Sequence, residues 1–75
     1  MYRILGVLSQ YGALHFSELA RRAGVSTKTL WRYLPELERR ELVKSVYARG
    51  YRVVLITEEG EELLKKMEES MAVLA

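Results

Sequence analysis

The sequence predicts a mainly α domain of the α+β class, with a three-helix core, a two-stranded hairpin and a last helix. Residues 17–37, SELARRAGVSTKTLWRYLPEL, hold two helical hydrophobic patterns joined by the very short turn Gly24–Val25–Ser26. Residues 44–57 hold two apolar runs around Arg49–Gly50, which reads as a hairpin. From residue 58 onward apolar residues recur at spacings of three and four, as in a short coiled-coil seam.

Each element has a local reason. Ile4, Leu5, Leu8 and Tyr11 recur at helical spacing over Tyr2–Tyr11, and Gly12 can end that helix in the left-handed conformation. Ala13–Phe16 reads as a short extended connection making at most a sheet bridge. Ser17 is the expected N-cap of the second helix, with Leu19, Ala20 and Ala23 inward, Arg21 and Arg22 outward, and Gly24 as its end. Ser26 is the expected cap of the third helix. At 100° per residue Leu30, Tyr33, Leu34 and Leu37 share one side of it, and Lys28, Arg32, Pro35 and Arg39 the other. Pro35 removes a hydrogen bond to the Trp31 carbonyl, so a continuous but bent helix is expected to about Arg40. Trp31 lies about 100° from the core stripe and reads as half-buried packing rather than as a base-stacking ring.

The hairpin register expected from a two-residue loop sets Ala48 opposite Tyr51, Val46 opposite Val53 and Lys44 opposite Leu55. The other face carries Val43, Tyr47, Val54 and Ile56. Both faces are therefore apolar, and the second calls for cover by the last helix or by a partner subunit. Thr57 is a cap for the last helix, and Glu58, Glu59, Glu61 and Glu62 suit its positive end. Glu61–Lys65 and Glu62–Lys66 are spaced for i,i+4 ion pairs. Leu64, Met67, Met71 and Leu74, with Leu63 alongside, form the seam. It has two readings, packing on its own domain or pairing with a second copy.

Composition bounds the function. Seventy-five residues suffice for one small domain, and with little core to bury, dimerisation is a plausible added source of stability. There is no cysteine, which excludes disulfides and thiolate zinc sites. No apolar run reaches membrane-spanning length and the N-terminus lacks signal-peptide features, so a cytoplasmic protein with no membrane contact is expected. Asn and Asp are absent, which fits a thermophilic source. His15 is the only histidine and reads as structural; no metal-ligand set, catalytic dyad, cofactor motif or small-molecule pocket is evident. The net charge of +2 is uneven. Residues 1–57 hold ten Lys/Arg against four Glu, and residues 58–75 two Lys against six Glu. One part of the molecule is thus suited to a polyanion and the other is not.

Leu19–Ser26 (LARRAGVS), Leu34–Val43 (LPELERRELV) and Tyr51–Gly60 (YRVVLITEEG) resemble, in order, the helix–turn core, the passage into the first hairpin strand and the passage into the last helix of winged helix-turn-helix proteins. The chain resembles that family of prokaryotic transcriptional regulators, including the small MarR-, PadR- and ArsR-like proteins, over nearly its whole length. Two residues depart from the pattern: Glu41 stands where family members often have glycine, and Pro35 lies inside the recognition helix.

The resemblance implies double-stranded DNA as partner, with a recognition helix at 27–40 in the major groove. Thr27, Lys28, Thr29 and Arg32 are then the candidates for base edges. Arg49 and Arg52 are candidates for the minor groove or phosphate, and Arg21 and Arg22 for backbone phosphates. Arg39 and Arg40 also suit the negative end of their own helix. Residues 1–57 would be the DNA-binding core and wing, and 58–75 a homodimerising helix through Leu63, Leu64, Met67, Met71 and Leu74. Two other readings stay open: a protein-interaction module of a larger assembly, and a sequence-indifferent chromatin-like protein.

Overall fold

The computed structural model describes residues 2–74, with side chains described as far as residue 71. The elements run α1 (Tyr2–Tyr11), β1 (Ala13–His15), α2 (Phe16–Ala23), α3 (Thr27–Arg39), β2 (Val43–Ala48), β3 (Tyr51–Ile56) and α4 (Glu58–Leu74). The sheet is antiparallel in the order β1-β3-β2. The β2–β3 register is the expected one, Ala48 facing Tyr51, Val46 facing Val53 and Lys44 facing Leu55. Ala13–His15 is more than a bridge: it pairs with Val53–Leu55 and makes the hairpin a three-stranded sheet.

The core lies where α1, α2, α3 and the inner sheet face meet. Ile4, Leu5 and Leu8 come from α1, Leu19, Ala20 and Ala23 from α2, and Val43 and Val54 from the sheet. Leu30, Leu34 and Leu37 of α3 are each 0% exposed. Full burial of one such leucine stabilises by about 1.5–3 kcal/mol. Two aromatic side chains depart from the sequence pattern: Tyr11 and Tyr33 are exposed, because the cores of α1 and α3 are filled by their leucines and leave each ring at the margin of the stripe.

The caps explain the boundaries. Ser26 accepts a hydrogen bond from the Thr29 amide at 3.1 Å, as an N-cap should. Ser17 does not cap α2. The β1 pairing ends at His15, which takes the extended N-cap conformation without a side-chain bond, so the helix already begins at Phe16. Gly24 ends α2 at φ 70°, with Val25 N donating to Ala20 O and Gly24 N to Arg21 O. This pair of bonds is a Schellman motif. The same motif ends α3: Leu42 N donates to Leu37 O and Glu41 N to Glu38 O, with Glu41 at φ 60°. Glu41 thus occupies the position glycine usually fills, and its Cβ makes that conformation costly. Pro35 is exposed and α3 runs unbroken through it.

Thr57 joins three elements. Its hydroxyl donates to the Glu41 carbonyl at 2.6 Å and accepts from the Gly60 amide at 3.0 Å, capping α4. Its own amide donates to Leu42 O at 3.0 Å. The start of α4 crosses this turn so closely that a Cβ on Gly60 would lie 2.3 Å from Leu42 O. α4 then packs against α1, where Ser9 Oγ donates to Glu61 at 3.0 Å. Among the described residues the expected Glu61–Lys65 and Glu62–Lys66 ion pairs do not form. The face of Val43, Val54 and Ile56 is covered by the domain's own core, whereas α4 does not cover the face of Lys44, Val46, Tyr51 and Val53, where Val46 and Tyr51 remain exposed.

Two substitutions test the crossing at Gly60. Gly60→Ala is expected to lower stability by about 1–3 kcal/mol, the cost of overpacking against a backbone atom. Gly6→Ala, mid-helix with nothing within 4 Å of the added methyl, is expected to raise it by roughly 0.5–1 kcal/mol. Urea denaturation midpoints measure both, and a wild-type midpoint for Gly60→Ala would mean that the crossing is loose. In the same assay Glu41→Gly is expected to stabilise by about 0.5–1 kcal/mol, relief of the left-handed strain less the added freedom of the unfolded chain.

Candidate nucleic-acid interface

The outer face of α3 is set by what its inner face buries. With Leu30, Leu34 and Leu37 inward, Thr27, Lys28 and Arg32 are exposed and Thr29 is half-buried. Thr29 Oγ1 accepts from Ser26 Oγ at 2.9 Å, so this hydroxyl is tied into the cap. At the hairpin tip Arg49 and Gly50 have φ 52° and 81°. Consecutive positive φ values mark a type I′ turn, whose twist matches the flanking strands and which presents the Arg49 side chain at the end of the hairpin.

Ion pairing sorts the arginines. Arg21 and Arg22 both reach Glu18, at 2.6 and 2.7 Å, and Arg22 also donates to the Tyr11 hydroxyl at 2.8 Å while lying over its ring. The hydrogen bond from Arg21, with a further one from Arg22, holds the Glu18 carboxyl below its ordinary value against the opposing cost of desolvation. A depressed folded value means that this contribution is present at neutral pH and is lost as pH falls through it. Arg39 and Arg40 share Glu36. These pairs are exposed and contribute little to stability. Among the described residues Lys28, Arg32 and Arg49 enter no ion pair, nor do Arg3, Lys44, Lys65 and Lys66.

Arg52, a candidate from the sequence for the minor groove or phosphate, is paired within the domain. Its side chain is 13% exposed and pairs with Glu38 at 2.6 Å, while its Nε donates to Ser45 Oγ at 3.2 Å. Ser45 in turn donates to Glu38 at 3.1 Å. The guanidinium lies 4.9 Å from the Trp31 ring centre, 5.6 Å from Phe16 and 5.7 Å from Tyr47. Arg52 therefore binds β3 to α3 across a cluster of aromatic rings. Trp31, expected half-buried, packs on Phe16 at 5.1 Å yet remains 57% exposed, because the leucine stripe leaves its flank of the helix outside the core. Glu38 and Tyr47 were not anticipated in these roles. The available signal was that Trp31 and Glu38 are two helical turns apart and so share a flank of α3.

The proposed seam on α4 divides. Leu64 is 5% exposed and belongs to the domain's own core. Leu63 is partly buried against that core. Leu63 and Met67 line an apolar groove with Tyr2, Leu5, Leu37 and Leu42, and Met71 is 58% exposed. The Leu74 side chain lies outside the described residues.

Comparison with known proteins places this geometry. The model of the winged helix-turn-helix DNA-binding family matches residues 1–44. The chain is similar to a riboflavin kinase of Pyrococcus furiosus, with 38% identity over 55 residues, 73% of this chain and 26% of that enzyme. It thus spans about a quarter of that relative. Among solved structures, the YusO protein from Bacillus subtilis superposes with a TM-score of 0.91 at 21% identity, over 97% of this chain and 54% of that one, a likeness of fold. AbsC, a MarR family transcriptional regulator from Streptomyces coelicolor, superposes with a TM-score of 0.85 at 26% identity, over 96% of this chain and 52% of that one. With a family match over more than half of its residues, and with α2, α3 and the hairpin in the matching order, the chain belongs to the winged helix-turn-helix DNA-binding family.

Proposed function

We propose that this chain binds duplex DNA as the reading domain of a transcriptional regulator, with α3 in the major groove and the Arg49–Gly50 tip on the minor groove or backbone. The observation that carries this reading is the sorting of the cations. Arg21, Arg22, Arg39, Arg40 and Arg52 are tied to carboxylates; of the cations without an ion pair among the described residues, which also include Arg3, Lys44, Lys65 and Lys66, Lys28 and Arg32 stand on the exposed face of α3 and Arg49 at the wing tip. Unpaired guanidinium and ammonium groups on the N-terminal half of such a helix suit guanine O6 and N7. Thr27, also exposed, suits a base edge or a thymine methyl; Thr29 has a secondary place because of its cap bond. Arg21 and Arg22 would meet phosphate only by giving up part of their bonds to Glu18. The protein would act in the cytoplasm on the nucleoid, and among the described residues no helix is long and apolar enough to cross a membrane.

We assign the chain a binding rather than a catalytic role. Its family is a DNA-binding one, and the likeness to a riboflavin kinase spans only 26% of that enzyme.

We further propose a homodimer through the C-terminal half of α4. Residues 1–57 then form the DNA-reading body, and the dimer face uses Met67, Met71 and the edge of Leu63. Support comes from the exposure of Met71 and from the apolar groove that continues its line toward Tyr2 and Leu42. A two-fold dimer would present its recognition helices to a palindromic site, with the glutamates of α4 away from the phosphates.

Lys28→Ala and Arg32→Ala are each expected to weaken specific binding by about 1–3 kcal/mol, the usual size of a good base contact. Anisotropy titrations against duplexes selected from a random pool measure this. Wild-type affinity in both variants would remove α3 from the groove, and an absence of wild-type binding at low salt would favour a protein-interaction module. Affinity that hardly varies with sequence would favour the chromatin-like reading. Met71→Glu is expected to yield monomers in sedimentation velocity, and an intact dimer would reject the α4 face.

A further inference from the structure

The cluster around Arg52 has properties that packing alone does not require. Trp31 and Tyr47 are 57% and 71% exposed although one guanidinium touches both rings. Among the described residues, neither the indole N–H of Trp31 nor the hydroxyl of Tyr47 is hydrogen-bonded to any protein atom. Trp31 stands one helical turn from Lys28 and from Pro35, so its ring continues the exposed face of α3 toward the wing. The carboxylate in the cluster, Glu38, is neutralised by Arg52 at 2.6 Å. Two rings with unused donors therefore flank the neutral Arg52–Glu38 pair where α3 meets the wing.

We propose that Trp31 and Tyr47 form an uncharged seat for the sugar–phosphate backbone of duplex DNA, held in place by Arg52 as a positioning residue. The inference rests on the reading of α3 as the DNA-binding helix. A strand passing from the major groove under α3 to the groove under Arg49 crosses the exposed faces of these two rings. Deoxyribose presents an apolar face to a ring, and phosphate oxygens accept from an indole N–H or a phenol O–H. The cations Lys28 and Arg32 on one side and Arg49 on the other supply the attraction. Arg52 acts indirectly: paired with Glu38, it fixes the angle between wing and helix and supports both rings from beneath.

Such a seat has a distinguishing property. A neutral donor displaces no counterion, so losing it lowers affinity without changing the salt dependence. Losing a cation that meets phosphate lowers both.

Trp31 is the only tryptophan, so its emission reports this position alone. On titration of a duplex into the full chain, Trp31 emission should change with the same midpoint as the anisotropy of the labelled duplex. Trp31→Phe and Tyr47→Phe keep a ring and lose a donor. Each should weaken binding by about tenfold, the size of a neutral donor's bond to a charged acceptor, with an unchanged slope of log K against log salt. Lys28→Ala should reduce that slope by about one if it meets phosphate. Arg52→Gln should shift Trp31 emission in the free protein and weaken binding, with circular dichroism confirming the fold. Wild-type binding without an emission change, or wild-type affinity in both Phe variants, would overturn the seat while leaving the DNA reading intact. An unshifted emission in folded Arg52→Gln would overturn the positioning role. No wild-type binding at low salt would overturn the DNA reading and this inference with it.

Discussion

The structure depends on the one-sided burial of α3. Leu30, Leu34 and Leu37 are fully enclosed, and the helices and the inner sheet face are arranged around them. A helix that buries one stripe so completely must leave the opposite stripe bare. That is why Lys28 and Arg32 face outward, and why Pro35 is tolerated. Its missing amide leaves the Trp31 carbonyl without a helical partner, and the exposed side of the helix is where water can take that place. The helix therefore stays continuous from Thr27 to Arg39.

Two reversals of the same construction set where α3 lies. The Schellman turn at Gly24 fixes how α2 delivers the chain to α3, and the one at Glu41 fixes how α3 releases it into the sheet. The second turn carries more of the tertiary structure. The Glu41 carbonyl receives the Thr57 hydroxyl, and the Leu42 carbonyl is crossed by Gly60. The wing and the last helix are thus both referred to one end of the recognition helix. Strain at Glu41 persists because surrounding bonds determine the turn more strongly than one residue's preference.

Five arginines follow the same chemistry with different consequences. Those on Glu18 and Glu36 are exposed, and water competes for their bonds at little cost. Arg52 is largely shielded, with Ser45 and three rings about it, while Glu38 is as open as Glu36, so their bond is half-buried. Desolvating the guanidinium offsets much of the attraction, so the pair adds little net stability while it joins β3 to α3. The join bears on the angle between wing and α3, on which the proposed joint contact with one duplex depends.

Local pattern determined much of this protein. The four helices, the hairpin register, the caps at Ser26 and Thr57 and the glycine ends of α1 and α2 follow from spacing and from turn chemistry, which act over a few residues. Tertiary structure decided the rest, because each remaining feature depends on residues distant in the chain. The third strand needed Val53–Leu55 to offer a free edge to Ala13–His15. Leu64 could be assigned to the core only once α4 lay on α1. The fate of Arg52 turned on Glu38, fourteen positions earlier, and the exposure of Trp31 on how little of its flank the wing covers. A charge in a sequence shows only that a cation is present; whether it is free for a ligand depends on which carboxylate the fold brings to it.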